Sequence, residues 1–206
     1  MSTSKIFFPF CALVLLLFLT GCPVKMGAPL TVTYNVQNES QYLTQGYVLL
    51  RVVDARQNKN LVGQKAMERD LFKKSQTGIV DLEIVGSRGE KYSRTNVTVE
   101  NAVYEAIRYR LQHLGVNATS DPNIIKARVT VRIVDFKIDV EDQQAVSTVS
   151  LEVAIDNPPS ETVSRTWASS ESAKVSLMFD MGGSDSISQA LSRCVDRLDF
   201  NGLNRF

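Results

Sequence analysis

The most reactive side chains in this chain belong to three cysteines, Cys11, Cys22 and Cys194, and to one histidine, His113. A single histidine excludes a multi-histidine metal site and leaves one candidate general base. His113 stands at the predicted end of a helix, where we expect a C-terminal cap or a surface residue. The sequence also lacks a phosphate-binding loop, a dinucleotide-binding glycine pattern and a recognisable serine nucleophile motif. We therefore predict that the protein is not an enzyme and uses no cofactor or metal.

Cys22 has the most informative surroundings, because it closely follows a long apolar run. Residues 6–19 are fourteen consecutive residues without a charge. This run is shorter than the roughly 20 residues that a membrane-spanning helix needs. It matches the hydrophobic part of a secretory signal peptide, with Lys5 supplying a weakly positive start. A buried N-terminal helix of the domain is the alternative, but the run shows no amphipathic face.

The sequence Leu-Thr-Gly-Cys at residues 19–22 resembles the lipobox of bacterial lipoproteins. The resemblance implies cleavage between Gly21 and Cys22, which removes residues 1–21 as a signal peptide. It also implies that acyl chains are attached to the thiol and to the new amino group of Cys22. Several acyl chains hold a protein on a bilayer where one chain binds only marginally. The expected partner of Cys22 is therefore a membrane.

The residue after this cysteine is Pro23 and not an aspartate. By resemblance to the sorting signals of enteric bacteria, this favours transport to the outer membrane, with the domain facing the periplasm. The expectation assumes a Gram-negative source. Nucleic acid is not an expected partner, because Lys plus Arg number 23 and Asp plus Glu number 22, which leaves no excess of positive charge.

The remaining cysteine, Cys194, has no predicted disulfide partner, because Cys11 lies in the signal peptide and Cys22 is blocked by lipid. Cys194 belongs to an apolar stripe at helical spacing that includes Leu191 and Leu198. A buried cysteine that acts as a small hydrophobic residue is the expectation, with a reactive thiol as the alternative.

Two further clusters have a possible binding role. Asp135, Asp139, Glu141 and Asp142 suggest calcium ligands, although alternating strand and turn positions favour a solvated face. On the first long helix, arginines and tyrosines suggest a binding face, while exposed charges beside half-buried rings are the simpler interpretation. The residues of this second cluster are Tyr104, Arg108, Tyr109 and Arg110.

The residues that follow Cys22 predict a tether over 22–46 and a single globular domain over 47–206. Proline, glycine and a polar cluster without periodicity indicate the tether, which includes a short extended piece at Leu30 to Tyr34. The predicted strands are 47–53, 79–85, 127–140, 149–155, 162–167 and 173–177. The first is expected to be buried on both faces, and the third is expected to contain a bulge at Val134. The predicted helices follow a Thr98 cap and a capping box at Ser186 and Gln189.

This order of elements predicts an α+β fold in which two helices pack on one face of an antiparallel sheet. The alternation of apolar and polar residues requires that asymmetry, because a sheet covered on both faces shows continuous apolar runs.

At the level of the whole chain, three features together resemble the YajG-type lipoproteins of Gram-negative bacteria. They are the lipobox, the helix VENAVYEAIRYRLQHLGV and the alternating strands ARVTVRIVDFKIDV and VSLEVAI. The layout is more distantly similar to the auxiliary lipoproteins of ABC-type lipid transporters. The resemblance implies a location and a fold, and it carries over no functional residue except Cys22.

Two classes of function are compatible with these features. In the first, the domain binds or scaffolds an envelope protein through a sheet edge or through its uncovered face. In the second, it is an accessory protein in the transport of lipid or another amphiphile, which requires a concave apolar surface beyond the core. The sequence favours the first class.

Overall fold

A computed structural model describes residues 29–36, 43, 45–156, 165–177 and 181–205, without the side chains of 165–167, 181, 204 and 205. This part of the chain contains eight strands, three α-helices and two 3-10 helices. In order, they are β1 (Thr31–Asn35), β2 (Gly46–Asp54), α1 (Gln64–Glu68), a 3-10 helix (Lys73–Ser75), β3 (Ile79–Val85), β4 (Lys91–Thr98), α2 (Val99–His113), β5 (Val116–Ala118), β6 (Ile125–Glu141), β7 (Gln144–Asp156), β8 (Arg165–Ser176), α3 (Met181–Asp196) and a second 3-10 helix (Asn201–Arg205).

The strands form two sheets. The small sheet has the order β1-β3-β4 and the large sheet has the order β5-β2-β6-β7-β8. Strand β1 is parallel to β3, and β2 is parallel to β5 and β6, whereas the other pairs are antiparallel. The α+β class is confirmed, but the expectation of one antiparallel sheet is wrong. The long crossover from β2 to β6, which contains β3, β4 and α2, allows parallel pairing.

The small sheet includes residues that the sequence assigns to the tether. The extended piece near Leu30 is strand β1, in which Val32 and Tyr34 are buried and pair in register with β3. The domain boundary at residue 47 is therefore too late, since residues 29–36 already belong to the core. The sequence does not show that β1 belongs to the domain, because polar residues follow it and a strand of five residues has only two or three buried positions.

The large sheet is buried on one face only. In β2, Val48, Leu50 and Val52 are buried, but Arg51 is exposed, so the expected burial of this strand on both faces is wrong. The predicted bulge in β6 is confirmed, because its register with β7 shifts between Ile133 and Asp135. The shift allows apolar residues on both sides of the bulge to face the core.

Strand β8 is longer than the sequence predicts. The two predicted stretches at 162–167 and 173–177 lie in or next to one strand, which pairs with β7 from Arg165 to Ser176. Residues 162–164 lie outside the described part of the chain.

Both long helices contact both sheets and join them into a single core. Helix α2 begins as predicted, since the Thr98 hydroxyl accepts a hydrogen bond from Asn101 N at 3.2 Å. Helix α3 begins earlier than predicted, so the expected capping box at Ser186 is wrong. Ser186 lies inside the helix, and its hydroxyl donates to the Ala173 carbonyl at 2.8 Å and to the Ala145 carbonyl at 3.2 Å. It therefore ties α3 to β7 and β8.

Candidate functional site

One face of the large sheet points away from α2 and α3 and presents exposed or half-buried side chains. We call it the outer face. Its side chains are short hydroxyls, charged groups and apolar groups, among them Leu49, Arg51, Val53, Arg128, Thr130, Arg132, Val146, Thr148, Ser150, Glu152, Ala154, Ser170 and Ser172.

Hydroxyl pairs connect the outer face across β7 and β8. Ser150 and Ser170 are opposite each other, with their oxygens 2.7 Å apart, and Thr148 and Ser172 are paired at 3.3 Å. These short side chains leave this half of the outer face low in relief. An arriving partner therefore meets backbone and hydroxyl groups without displacing long side chains.

A groove of about 480 Å³ lies beside the bulge in β6. Its lining includes Arg132, Val134, Asp135, Lys137 and Glu152. The bulge turns Val134 outward, where 43% of its surface is exposed. Arg132 pairs with Glu152 at 3.0 Å and Lys137 pairs with Asp135 at 3.0 Å, so the charges of the groove are largely compensated.

An ion pair between buried Arg56 and half-buried Asp54 lies at one wall of this groove. Arg56 donates to both carboxylate oxygens of Asp54 at 2.9 Å and to the Phe136 carbonyl at 3.0 Å. Burial raises the pKa of Asp54, but hydrogen bonds from Arg56 and Lys59 outweigh it and lower this pKa to about 2. In the sequence, residues 54–56 only follow the strand predicted at 47–53. The burial of Arg56 is not predictable from them, because it depends on contact with β6.

A second groove, of about 410 Å³, runs between β1 and α3. Thr33, Ser188, Arg193 and Asp196 are among its lining residues. Asp196 accepts a hydrogen bond from the Tyr34 hydroxyl at 3.0 Å. Both grooves are lined mainly by polar side chains, so neither forms an apolar channel.

The predicted binding cluster on α2 is divided between the core and the surface. Arg110 is buried and donates to the Asp196 carbonyl at 3.3 Å, so the interpretation of this residue as an exposed charge is wrong. Arg108 instead forms a surface cluster: its Nε donates to Glu105 at 2.7 Å and its guanidinium lies 4.5 Å from the ring centre of Tyr109. Tyr104 is half-buried against the core.

Strand β4 completes the cluster around Arg108. The Tyr92 ring lies 5.5 Å from that of Tyr109, and Arg94 lies over Tyr92 at 5.7 Å. Sequence reasoning missed these contacts because β4 has no apolar alternation. Arg94 and Arg108 both lie close to Glu105, so its carboxylate offsets part of their positive charge.

The structure places the single histidine at the end of α2, as expected, but half-buried and not on the surface. Its Nε2 is buried and has no hydrogen-bond partner among the described residues. Cys194 is fully buried, which confirms the structural interpretation of this thiol. Burial raises the pKa of Cys194 to about 11, and its Sγ donates to the Ser169 carbonyl at 3.3 Å.

The four acidic residues considered as possible calcium ligands do not converge, which agrees with the solvated face favoured by their strand and turn positions. Asp135 and Glu141 pair with lysines, Asp139 accepts a hydrogen bond from Ala66 N at 2.8 Å, and Asp142 lies in the β6–β7 turn. No group of three or more histidine, cysteine or acidic residues within the described ranges has the arrangement of a metal site.

The predicted cleavage and acylation residues, Gly21 and Cys22, lie outside the described residues. Among the helices that the structure does describe, none has the length and apolar character needed to cross a bilayer.

Comparison with known proteins gives a likeness to bacterial structures. Protein XCC0632 from Xanthomonas campestris, of family DUF330, is 11% identical, with a TM-score of 0.47 over 80% of this chain and 90% of that chain. A homologue of a neuraminyllactose-binding hemagglutinin from Helicobacter pylori is 10% identical, with a TM-score of 0.37 over 81% and 92%. No protein-family model and no curated protein matches the sequence. The functional proposal therefore rests on the chain itself.

Proposed function

We propose that this chain is a lipoprotein of the bacterial envelope, of the YajG type, anchored through acyl groups on Cys22. The observation that carries the proposal is the sequence Leu-Thr-Gly-Cys at residues 19–22, directly behind an uncharged run of fourteen residues. With a Gram-negative source, Pro23 favours the outer membrane and a domain that faces the periplasm.

We further propose that the folded domain acts by binding and not by catalysis. The outer face supports this proposal, because it combines small hydroxyl side chains and apolar side chains with the Arg132–Glu152 ion pair and an adjoining groove. Protein interfaces combine apolar and polar groups in this way. The alternative, an accessory role in amphiphile transport, calls for an apolar concavity, and the polar lining of both described grooves favours a protein partner.

The anchoring proposal is tested by Cys22→Ser in the full-length chain, expressed in a Gram-negative host. We expect loss of palmitate labelling and accumulation of an uncleaved precursor that migrates more slowly on a gel. The matched control is Cys11→Ser, which changes a cysteine of the signal peptide and leaves labelling and cleavage intact. Labelling that persists in the Cys22 variant overturns the proposal.

The binding proposal is tested by placing a photo-reactive amino acid at Ser170 on the outer face, with Thr95 on β4 as the control position. Both positions are exposed. We expect one protein adduct from Ser170 after irradiation of cells and no such adduct from Thr95. An adduct with lipid at Ser170 supports the amphiphile role instead, and identical products at both positions refute a specific outer-face partner.

The non-enzymatic proposal is tested by His113→Ala. A binding domain keeps its envelope function in this variant, because the half-buried ring contributes to stability and not to chemistry. An enzyme that uses the histidine as its general base loses roughly 10²–10⁴-fold in rate. A null phenotype, in protein that is folded and reaches the membrane, contradicts a binding role.

A further inference from the structure

A short segment between Gly63 and Ser75 concentrates exposed cations beside apolar side chains. We call residues 65–74 the basic segment; it contains most of α1 and most of the first 3-10 helix. It carries four cations and two anions, a net charge of +2, in a chain whose net charge is +1. The exposed residues are Lys65, Met67, Glu68, Arg69, Asp70, Lys73 and Lys74.

The basic segment is fixed to the start of the described chain. Phe72 is buried, and a Cβ placed on Gly183 at the start of α3 would collide with its ring and come within 3.0 Å of Leu30 Cδ2. Leu30 N donates to the Ser75 hydroxyl at 2.7 Å. The polypeptide therefore enters the folded domain directly beside Lys73 and Lys74.

The distance from this entry point to Cys22 is short. Only residues 23–28 separate Cys22 from Pro29, the first described residue. Eight Cα–Cα steps lead from Cys22 to Leu30, and they span at most about 26–29 Å when fully extended. A domain of this size has a radius of gyration of roughly 16 Å and thus a diameter of roughly 40 Å. With acyl chains on Cys22, Leu30 therefore stays within about 26–29 Å of the bilayer, which is less than the diameter of the domain.

We propose that the basic segment docks on an anionic lipid surface and orients the domain on the membrane. This inference rests on the proposed acylation of Cys22. The acyl chains hold the segment near the headgroups, and its four cations, of which Lys73 pairs with Asp70 at 3.2 Å on the exposed surface, meet their negative charge. Each Lys or Arg near such a surface strengthens binding about five-fold. Met67, 37% exposed, adds an apolar side chain that enters the headgroup layer.

The opposite end of β6 lies far from the basic segment. Val62, next to the basic segment, forms a bridge with Ile138, whereas Ile124 precedes the first residue of β6. The fourteen steps from Ile124 to Ile138 span roughly 45 Å along a strand, so Ile124 lies far from a contact made by the basic segment. Ile124 is 46% exposed and thus comparable to Met67. It is a matched position for a control probe.

The test uses full-length acylated protein reconstituted in vesicles of phosphatidylcholine and phosphatidylglycerol at a ratio of 7:3. A fluorophore is attached to Met67→Cys or to Ile124→Cys, since Cys194 is fully buried and Cys22 carries lipid. Nitroxide-labelled lipids quench a fluorophore near the headgroups. We expect strong quenching at position 67 and little at position 124. Vesicles of phosphatidylcholine alone should weaken the quenching at position 67 several-fold.

The role of the charges is tested by Lys73→Gln together with Lys74→Gln in the Met67→Cys background. This pair should reduce quenching in the anionic vesicles to the level seen with phosphatidylcholine. The control pair, Arg51→Gln with Arg128→Gln, removes the same charge from the outer face and should leave quenching unchanged.

The two proposals fail in distinguishable ways. Acylated protein on vesicles with equal quenching at positions 67 and 124 overturns the docking of the basic segment, while the anchoring proposal stands. Protein that carries no palmitate label on Cys22 overturns the anchoring and, with it, the docking.

Discussion

The outer edges of β1 and β8 differ in how far other residues cover their backbone N–H and C=O groups. Beside β1, two backbone N–H groups donate to the hydroxyls of Ser184 and Ser188 on α3, at 3.0 and 2.8 Å. Strand β8 pairs only with β7 among the described residues. Its Ser172 carbonyl accepts a long, exposed hydrogen bond of 3.4 Å from Arg193.

The edge of β1 is therefore covered by helix side chains, whereas the edge of β8 is open to pairing with another strand. Unpaired backbone groups on an edge strand are a template for another strand, and proteins usually cover or interrupt them. At β1 the hydroxyls of a helix take the place of a neighbouring strand. Strand β8 has twelve residues and pairs with β7 without a register shift. A partner that approaches the outer face thus finds a long, regular edge beside it.

Leu191→Ala should have the largest effect, because it weakens the helix on which both edges depend. Leu191 is fully buried in α3, which contacts β1, β7 and β8. Truncation of a buried leucine lowers the free energy of unfolding by about 2–5 kcal/mol. Urea denaturation of the soluble domain measures it. An unchanged midpoint would show that α3 does not hold the two sheets together.

Removing the hydroxyls that cover β1 should cost nearly as much. Ser184→Ala with Ser188→Ala leaves two partly buried N–H groups without acceptors. The expected loss is about 2–4 kcal/mol in the free energy of unfolding, at 1–2 kcal/mol for each group. Hydrogen exchange should also accelerate at Thr31 and Thr33. If exchange at these two amides is unaltered, the hydroxyls do not protect the edge.

The wall of the groove on the outer face should be sensitive to acid. The lowered pKa of Asp54, about 2 against an ordinary 3.8, means that its ionised form stabilises the fold. This stabilisation is nearly complete above about pH 5 and is lost progressively as the pH falls towards 2 and below. The stability difference between wild type and Asp54→Asn should therefore shrink by about 2 kcal/mol between pH 6 and pH 2. A constant difference would show that the ion pair with Arg56 is not coupled to folding.

The smallest effect is expected on the open side. Ser170→Ala with Ser172→Ala removes two exposed hydroxyl pairs from β8 and should change the free energy of unfolding by less than about 1 kcal/mol. This pair is the matched control for Ser184 and Ser188, since each double change removes two serine hydroxyls. Equal losses in both double variants would erase the distinction between the covered edge and the open one.

Much of the fold follows from periodicity. The seventeen residues of β6 alternate clearly enough to reveal even their bulge, and α2 shows both its Thr98 cap and its apolar face. The parallel pairing of β2 with β6 was not predictable, because it depends on a crossover that local pattern does not encode. The sequence does not predict that β1 belongs to a sheet of the domain, because its pairing partner, β3, lies about fifty residues away.

The candidate site was less accessible from the sequence. Its features arise where distant residues meet, such as Arg56 with the Phe136 carbonyl or Tyr92 with Tyr109. Arg110 was misjudged because a helical arginine between apolar neighbours is ordinarily solvated, and only the position of Asp196 on α3 explains its burial. Cys22, in contrast, is predicted from local sequence alone, because the lipobox is a short linear motif; its acylation stays a prediction.

The covered edge of β1 also limits assembly of this protein through its sheet edges. Growth of a fibril through sheet edges requires two reactive ends on each unit, just as a linear polymer requires bifunctional monomers. Within the described part of the chain, β5 has only three residues and β4 is interrupted by the left-handed Asn96, at φ 53°. Among the described strands, β8 is then the single reactive end, and pairing through it alone would join two molecules and stop.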